Sequence, residues 1–313
     1  MMRKIWGFLI AAGLVASIAT TTSAAVTTPR QFNLDIKVLY NARQIASDVQ
    51  PEVVNSTVFV PFRAVSDALG AQLAVTPDWK TITFTKGSRK VTVTIGSKTA
   101  VVNGKNVALT VAPYATNGRT MVPTRFVSEQ LGETVEWDSL SRYVWIGHKN
   151  VPTLEEAVKA VDLKPYLHYF TGKAAEVHLI DWGTNGGASG NHSKVRIIIE
   201  TDWPLKIDTS TIYRIDRVIL NGEEQFRSVS NTKGVMGISF YFLEKGMPLR
   251  VRPEIKPFRE YIGDLRVNYN SATFTGDESV GIDNYMDVKI KDVAYVGISA
   301  ASDSLILMEN YFK

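Results

Sequence analysis

Residues 58–85 read VFVPFRAVSDALGAQLAVTPDWKTITFT, and residues 120–147 read TMVPTRFVSEQLGETVEWDSLSRYVWIG. Laid over one another at an offset of 62, they place Pro61, Arg63, Val65, Ser66, Leu69 and Gly70 on Pro123, Arg125, Val127, Ser128, Leu131 and Gly132. The upstream segments stay in the same register, with Asn41, Val49, Pro51 and Asn55 on Asn103, Val111, Pro113 and Asn117. Identities in one ungapped frame over about fifty positions indicate a duplicated unit.

Each unit has a local logic. A strand delivers Val60-Pro61 or Val122-Pro123, and the proline opens a short helix, where its missing N–H is harmless. Val65 and Leu69, like Val127 and Leu131, sit four apart and share one helix face. Gly70 and Gly132 fall where helices commonly end in a left-handed residue. The alternating runs 81–85 and 143–146 read as half-buried strands, and 91–95 as another. Val101 to Lys105 is a hairpin around an Asn-Gly turn.

The string AVVNGK…L…AP…NGRTMVPTRFVSEQLGETVEWD…R.VWIG resembles the copper amine oxidase N-terminal-like domain, or stalk domain, a family common in secreted proteins of Gram-positive bacteria. The resemblance spans about residues 34–148. It implies a non-catalytic appendage, with copper and quinone chemistry belonging to a separate domain that nothing here resembles. The first unit departs from the pattern: Ala42 replaces the turn glycine, Ser56-Thr57 replaces Gly-Arg, and Val75 stands where Trp137 does. Ala42 argues against a tight turn, because a Cβ disfavours positive φ.

Before the repeat, Arg3 and Lys4 precede an apolar run from Ile5 to Ala19 and small residues ending in Ala24-Ala25. This is the pattern of a secretory signal peptide over residues 1–25, cleaved after Ala25 or one residue earlier. The run is shorter than the roughly twenty residues a spanning helix needs, so no stable membrane span is expected after cleavage. The formal net charge of +4 loses two cations with the leader and falls to +2. Residues 26–150 carry 14 basic and 9 acidic groups, and residues 151–313 carry 19 and 22. The sequence pI near 9.0 therefore marks no uniform basic surface, and nucleic-acid binding is not expected.

The rest of the chain, 151–313, begins with a helix capped by Thr153 and Glu156, with Leu154, Ala157, Val158 and Val161 as its apolar stripe. Strands are read at 176–180, 194–200, 213–220, 235–243, 265–274, 285–296 and 304–312. Turns are read at Asn221-Gly222, Lys245-Gly246, Gly276-Asp277 and Asp303. The expected fold is an α+β N-terminal stalk-type domain at 26–150, built from a duplicated unit, followed by a mostly-β, sandwich-like C-terminal domain. Residues 194–221 also resemble the AMIN domain, a β module found beside cell-wall amidases, which implies non-catalytic binding to wall polymers.

Candidate sites are few. There is no cysteine. His148, His168, His178 and His192 lack metal-ligand spacing, so no metal or cofactor is expected. Trp182, in the Gly-rich stretch 181–192, is a candidate stacking residue, and Arg63 and Arg125 are candidate anchors for an acidic partner. Asp277, Glu278, Asp283 and Asp287 form an acidic patch read as a solvated loop, with oxygen ligands of the kind calcium uses but without EF-hand spacing. No serine sits in a nucleophile elbow. The leading expectation is a secreted, non-catalytic cell-envelope protein whose stalk presents the β-rich module to peptidoglycan, an anionic wall polymer or an envelope protein. The alternatives are a wall hydrolase using carboxylates such as Asp181 and Glu200, and a surface or matrix protein that self-associates. Oligomeric state is left open by the sequence.

Overall fold

Four tight turns set the frame of the N-terminal domain. Asn41-Ala42, Asn55-Ser56, Asn103-Gly104 and Asn117-Gly118 each put two consecutive residues at positive φ, the backbone that closes a two-residue hairpin in step with strand twist. Ala42 takes φ 61 despite its Cβ, so this hairpin forms against the sequence expectation. The computed structural model describes residues 30–181, 190–232, 238–253, 259–280, 282 and 288–312. The leader at 1–25 lies outside them. Over the described residues the protein is mostly β, arranged in several sheets.

In chain order the first unit supplies β1 (Lys37–Tyr40), β2 (Arg43–Gln44), β3 (Glu52–Val54), β4 (Thr57–Pro61), helix α1 (Phe62–Leu69), β5 (Gln72–Val75) and β6 (Thr81–Lys86). After β7 (Arg89–Thr94) come β8 (Thr99–Val102), β9 (Lys105–Ala108), β10 (Tyr114–Thr116), β11 (Arg119–Pro123), α2 (Thr124–Gln130), β12 (Val135–Asp138) and β13 (Tyr143–Ile146). The bounds of β3 and β4, moved on by 62, are those of β10 and β11. Both prolines stand one place earlier than expected, as the residue before the helix rather than its first.

The two hairpins meet in a four-stranded sheet, β10-β11-β4-β3. Its central register pairs Met121 with Pro61, Val122 with Val60 and Pro123 with Phe59. Exchanging every residue for its counterpart 62 away leaves that register unchanged, so a pseudo-two-fold passes between Val60 and Val122. The outer sheets are exchanged: β1-β2 adds to β12-β13, and β8-β9 adds through β7 to β5-β6. Val60, Val65, Leu69, Ile82, Phe84, Val122, Val127, Leu131, Val144 and Ile146 share one buried core.

The C-terminal domain contains α3 (Leu154–Ala157), β14 (Ala160–Asp162), α4 (Lys173–Leu179), β15 (Ile180–Asp181), β16 (Gly190–Asn191), β17 (Lys194–Ile198), β18 (Leu205–Ile207), β19 (Ser210–Leu220) and β20 (Glu223–Ser230). It continues through β21 (Ser239–Leu243), β22 (Arg250–Arg252), β23 (Arg259–Ile262), β24 (Leu265–Ser271), β25 (Tyr295–Ser299) and β26 (Leu305–Glu309). A six-stranded sheet, β14-β17-β26-β25-β21-β22, and a five-stranded sheet, β18-β19-β20-β24-β23, contribute to a single core. Ile198, Phe240, Phe242, Val296, Ile298, Ile306 and Met308 come from the first sheet; Leu205, Ile207, Ile212, Ile215 and Phe226 come from the second.

Several local expectations give way here. Residues 176–179 are the end of α4, not a strand; the alternation of Val177 and Leu179 is ambiguous, because a helix also places Ala175 and Leu179 on one face. The capping box of Thr153 and Glu156 is present, but the helix stops at Ala157. Val158 turns extended, and Val161 sits on β14, which pairs with β17. In the segment 285–296, the described part is a 3-10 turn, Ile290–Asp292, with strand only from Tyr295. Gly276-Asp277 lies in a 3-10 segment, Thr275–Val280.

A buried joint holds the two domains together. Ile212 pairs with Ser230 and Arg214 with Val229, leaving Tyr213 as an extra residue in β19. Such a bulge reverses which face the later side chains of the strand take. Arg214 and Asp216 thereby face the N-terminal domain. Arg214 donates from Nε to Asp216 at 2.6 Å, and from Nη1 to the carbonyls of Asp35 at 2.7 Å and Ser141 at 2.8 Å. Arg227 reaches Asp216 at 3.3 Å and the Leu140 carbonyl at 2.9 Å. All three ionic side chains are buried. Burial opposes the Arg214 charge, but the Asp216 carboxylate outweighs it and holds the guanidinium pKa above its ordinary value. Around this network, Leu39, Ala42, Tyr143 and Trp145 pack with Val151 and Tyr213, and the Tyr143 hydroxyl donates to the Tyr213 carbonyl at 2.7 Å.

Candidate functional site

One cleft on the N-terminal domain is formed by strand edges. β3 and β12 are both edge strands of their sheets. Between them lies a groove of about 580 Å³, lined by Ile36, Val53, Val58, Val135 and Val144 together with Ser56, Thr57, Thr124, Arg125, Trp137 and Arg142. That size falls within the roughly 300–1,000 Å³ of small-ligand clefts, which typically combine an apolar lining with a few polar groups.

Each polar group has a local reason to be there. Pro123 ends β11, so α2 begins at the groove with Thr124 buried and Arg125 exposed. Asp138 accepts the backbone N–H groups of Leu140 at 2.9 Å and Ser141 at 3.1 Å. That turn brings the chain back through Arg142 at φ 52. Trp137, on β12, is 43% exposed. Thr124 Oγ1 and Arg142 Nε are buried and have no hydrogen-bond partner among the described residues. Among the described residues, no carboxylate pairs with Arg125 or Arg142.

Arg63, the counterpart of Arg125, has a different setting. Its guanidinium lies 5.6 Å from the rings of both Phe62 and Trp79. Phe62 occupies the position equivalent to Thr124 and is buried in the core. The structure thus separates two arginines that the sequence treats alike: one is stacked on aromatic rings, and the other lies free on a groove. Trp182, the third sequence candidate, falls outside the described residues. Sequence reasoning missed Thr124 and Arg142 because neither recurs in the repeat; Phe62 and Lys80 stand at their counterparts.

Other polar candidates are already engaged. A smaller cavity of about 220 Å³ lies at the domain joint, lined by residues that include Lys37, Tyr143, Glu200, Trp203, Arg214 and Asp216. There Lys37 Nζ meets Glu200 at 2.5 Å. Asp277 is no solvated loop residue: it is 2% exposed and pairs with Arg252 through both carboxylate oxygens, at 3.0 and 2.9 Å. Asp283 and Asp287 lie outside the described residues. The rings of His168 and His178 contact the carbonyls of Pro165 and Ala174. Among the described residues, no three His, Asp or Glu side chains gather in a geometry that could hold a metal ion. Nor does any helix among them have the length and apolarity to cross a membrane.

Residues 39–146, from β1 to the end of β13, match the family described as copper amine oxidase N-terminal domain. The resemblance carried by the repeat is therefore borne out over residues 39–146. No curated protein matches the chain.

Proposed function

We propose that the chain is a secreted, non-catalytic binding or scaffolding protein of the cell envelope. In this reading the N-terminal domain is a duplicated stalk that presents a β-sandwich to a wall polymer (peptidoglycan or an anionic polymer) or to an envelope protein. The observation that carries it is the joint: a stalk-type domain is fixed to the second domain by buried ionic contacts at Arg214, Asp216 and Arg227. A flexible tether would need no such network, because interdomain mobility is the default where an interface is small and polar. The basic leader and apolar run of residues 1–25 support export. The two-sheet core and the strand pattern at 194–220 support the AMIN-like reading of the C-terminal domain.

The direct test is sedimentation of the mature protein with purified cell wall, with bovine albumin as the negative control. Retention well above albumin is expected. A mature protein that stays wholly in the supernatant, with walls from several Gram-positive species, would remove wall binding from this reading.

A further inference from the structure

We infer that the groove between β3 and β12 binds a short peptide that ends in a free carboxylate and carries a small aliphatic side chain. The inference deepens the envelope reading by naming a ligand class, and rests on that reading only for where such a peptide is met.

Charge argues first. Arg125 and Arg142 line one groove, and among the described residues neither guanidinium has an ion-pair or hydrogen-bond partner. The fork of an arginine matches a carboxylate in plane and spacing, so two free forks beside a cleft favour a ligand with a terminal anion. Thr124 adds an independent sign: its hydroxyl lines the same groove, is fully buried and has no partner among the described residues. A buried polar atom left unmatched is costly, and a peptide N–H or C=O would satisfy it.

The body of the ligand is set by the floor and the walls. Ile36, Val53, Val58, Val135 and Val144 offer aliphatic surface, which suits an alanyl or valyl side chain better than a hydroxyl-rich sugar. Both walls are sheet edges, and an edge strand offers unpaired backbone groups to an extended peptide. The pseudo-symmetric position shows that this opening is not inherent to the fold. There Phe62 stands for Thr124, and Arg63 is stacked on Trp79.

Calorimetric titration of the full chain tests this with acetyl-Val-Ala bearing a free carboxylate, the same dipeptide as its C-terminal amide, an uncharged chitotetraose and an oligogalacturonate. Binding of the free acid is expected, with the amide weaker by about tenfold or more, the range of one lost charge-assisted contact. Arg125→Gln, an exposed change, should weaken the acid about tenfold and leave the melting temperature unchanged. Thr124→Phe, which copies Phe62, should abolish binding while thermal unfolding stays cooperative. Equal affinity for acid and amide, binding of oligogalacturonate instead of the dipeptide, or no binding of any probe would each overturn the inference. Wall sedimentation of Arg125→Gln and Thr124→Phe keeps the two readings apart. Peptide binding without wall retention would sink the envelope reading alone, and wall retention without peptide binding would sink the groove alone.

Discussion

The outer sheets of the N-terminal domain are built from corresponding strands, with β7 added to one of them, and present opposite surfaces. On the sheet of β12, β13, β1 and β2, the outward side chains Tyr143, Trp145 and Leu39 are buried against the second domain. Their counterparts on the other sheet are Thr81, Thr83 and Val101, and they face solvent or lie only partly buried. There the threonines form a ladder, with Thr81 bonded to Thr94 at 3.1 Å and Thr83 to Thr92 at 2.9 Å. Cross-strand hydroxyl pairs of this kind stabilise a sheet without requiring cover. At these corresponding strand positions a handful of outward residues distinguishes the docked face from the exposed one. The inward ones, Ile82 and Phe84 against Val144 and Ile146, are apolar on both sides.

Making one sheet resemble the other should be most damaging at the joint. Trp145→Thr gives the docked sheet its counterpart's residue and should cost about 4 kcal/mol, mid-range for truncating a buried tryptophan. Guanidinium unfolding followed by far-UV circular dichroism would measure it, and a loss below about 1 kcal/mol would mean that the docked face owes little to that ring. Asp216→Ala leaves Arg214 and Arg227 buried together without their shared carboxylate. A loss of about 3 kcal/mol is expected, the lower end for breaking a buried ion pair. An unchanged unfolding midpoint would show that the backbone carbonyls of Asp35, Leu140 and Ser141 suffice to hold both cations.

Smaller effects should separate the two kinds of turn. Ser56 has φ 58 on an exposed hairpin tip, and Ser56→Gly should gain about 0.5 kcal/mol by relieving left-handed strain. Ala42 has the same backbone, but its methyl is fully buried at the joint with Trp145 and Tyr143. Relief and lost packing should nearly cancel there, so Ala42→Gly is expected within about 0.5 kcal/mol of the parent. Thermal melts of the two variants side by side sharpen the contrast. A clear gain at Ala42 would show that its methyl contributes nothing to docking, whereas the counterpart Gly104 already lacks one.

Much of the N-terminal domain was legible because its signals are local. The Asn103-Gly104 turn, the Pro-to-Gly span of each helix and the alternation of 81–85 all act within a few residues. The four consecutive buried residues of β13 were harder: their second buried face depends on another domain. The C-terminal half was less legible for the same reason. Arg214, Asp216 and Arg227 look like ordinary polar positions of a hairpin, since the bulge at Tyr213 leaves no mark in hydropathy. Asp277 sits in an acidic run, and its partner Arg252 is 25 residues away. At the groove, Arg125 was found through the repeat. Thr124 and Arg142 were not, because what matters about them is the lack of a partner.

The sequence alone determined the repeat of 62, its two helices and the Asn103-Gly104 turn, the family resemblance over about residues 34–148 and the β-rich character of residues 151–313. Those properties arise from periodicity and backbone preference, which act over one or two turns of chain. Tertiary structure decided which of two corresponding sheets is covered, which of two corresponding arginines lies on an open groove and where a buried charge finds its partner. Such outcomes depend on side chains far apart in the chain meeting in a water-poor space, where a charge or hydroxyl must be matched or left at a cost.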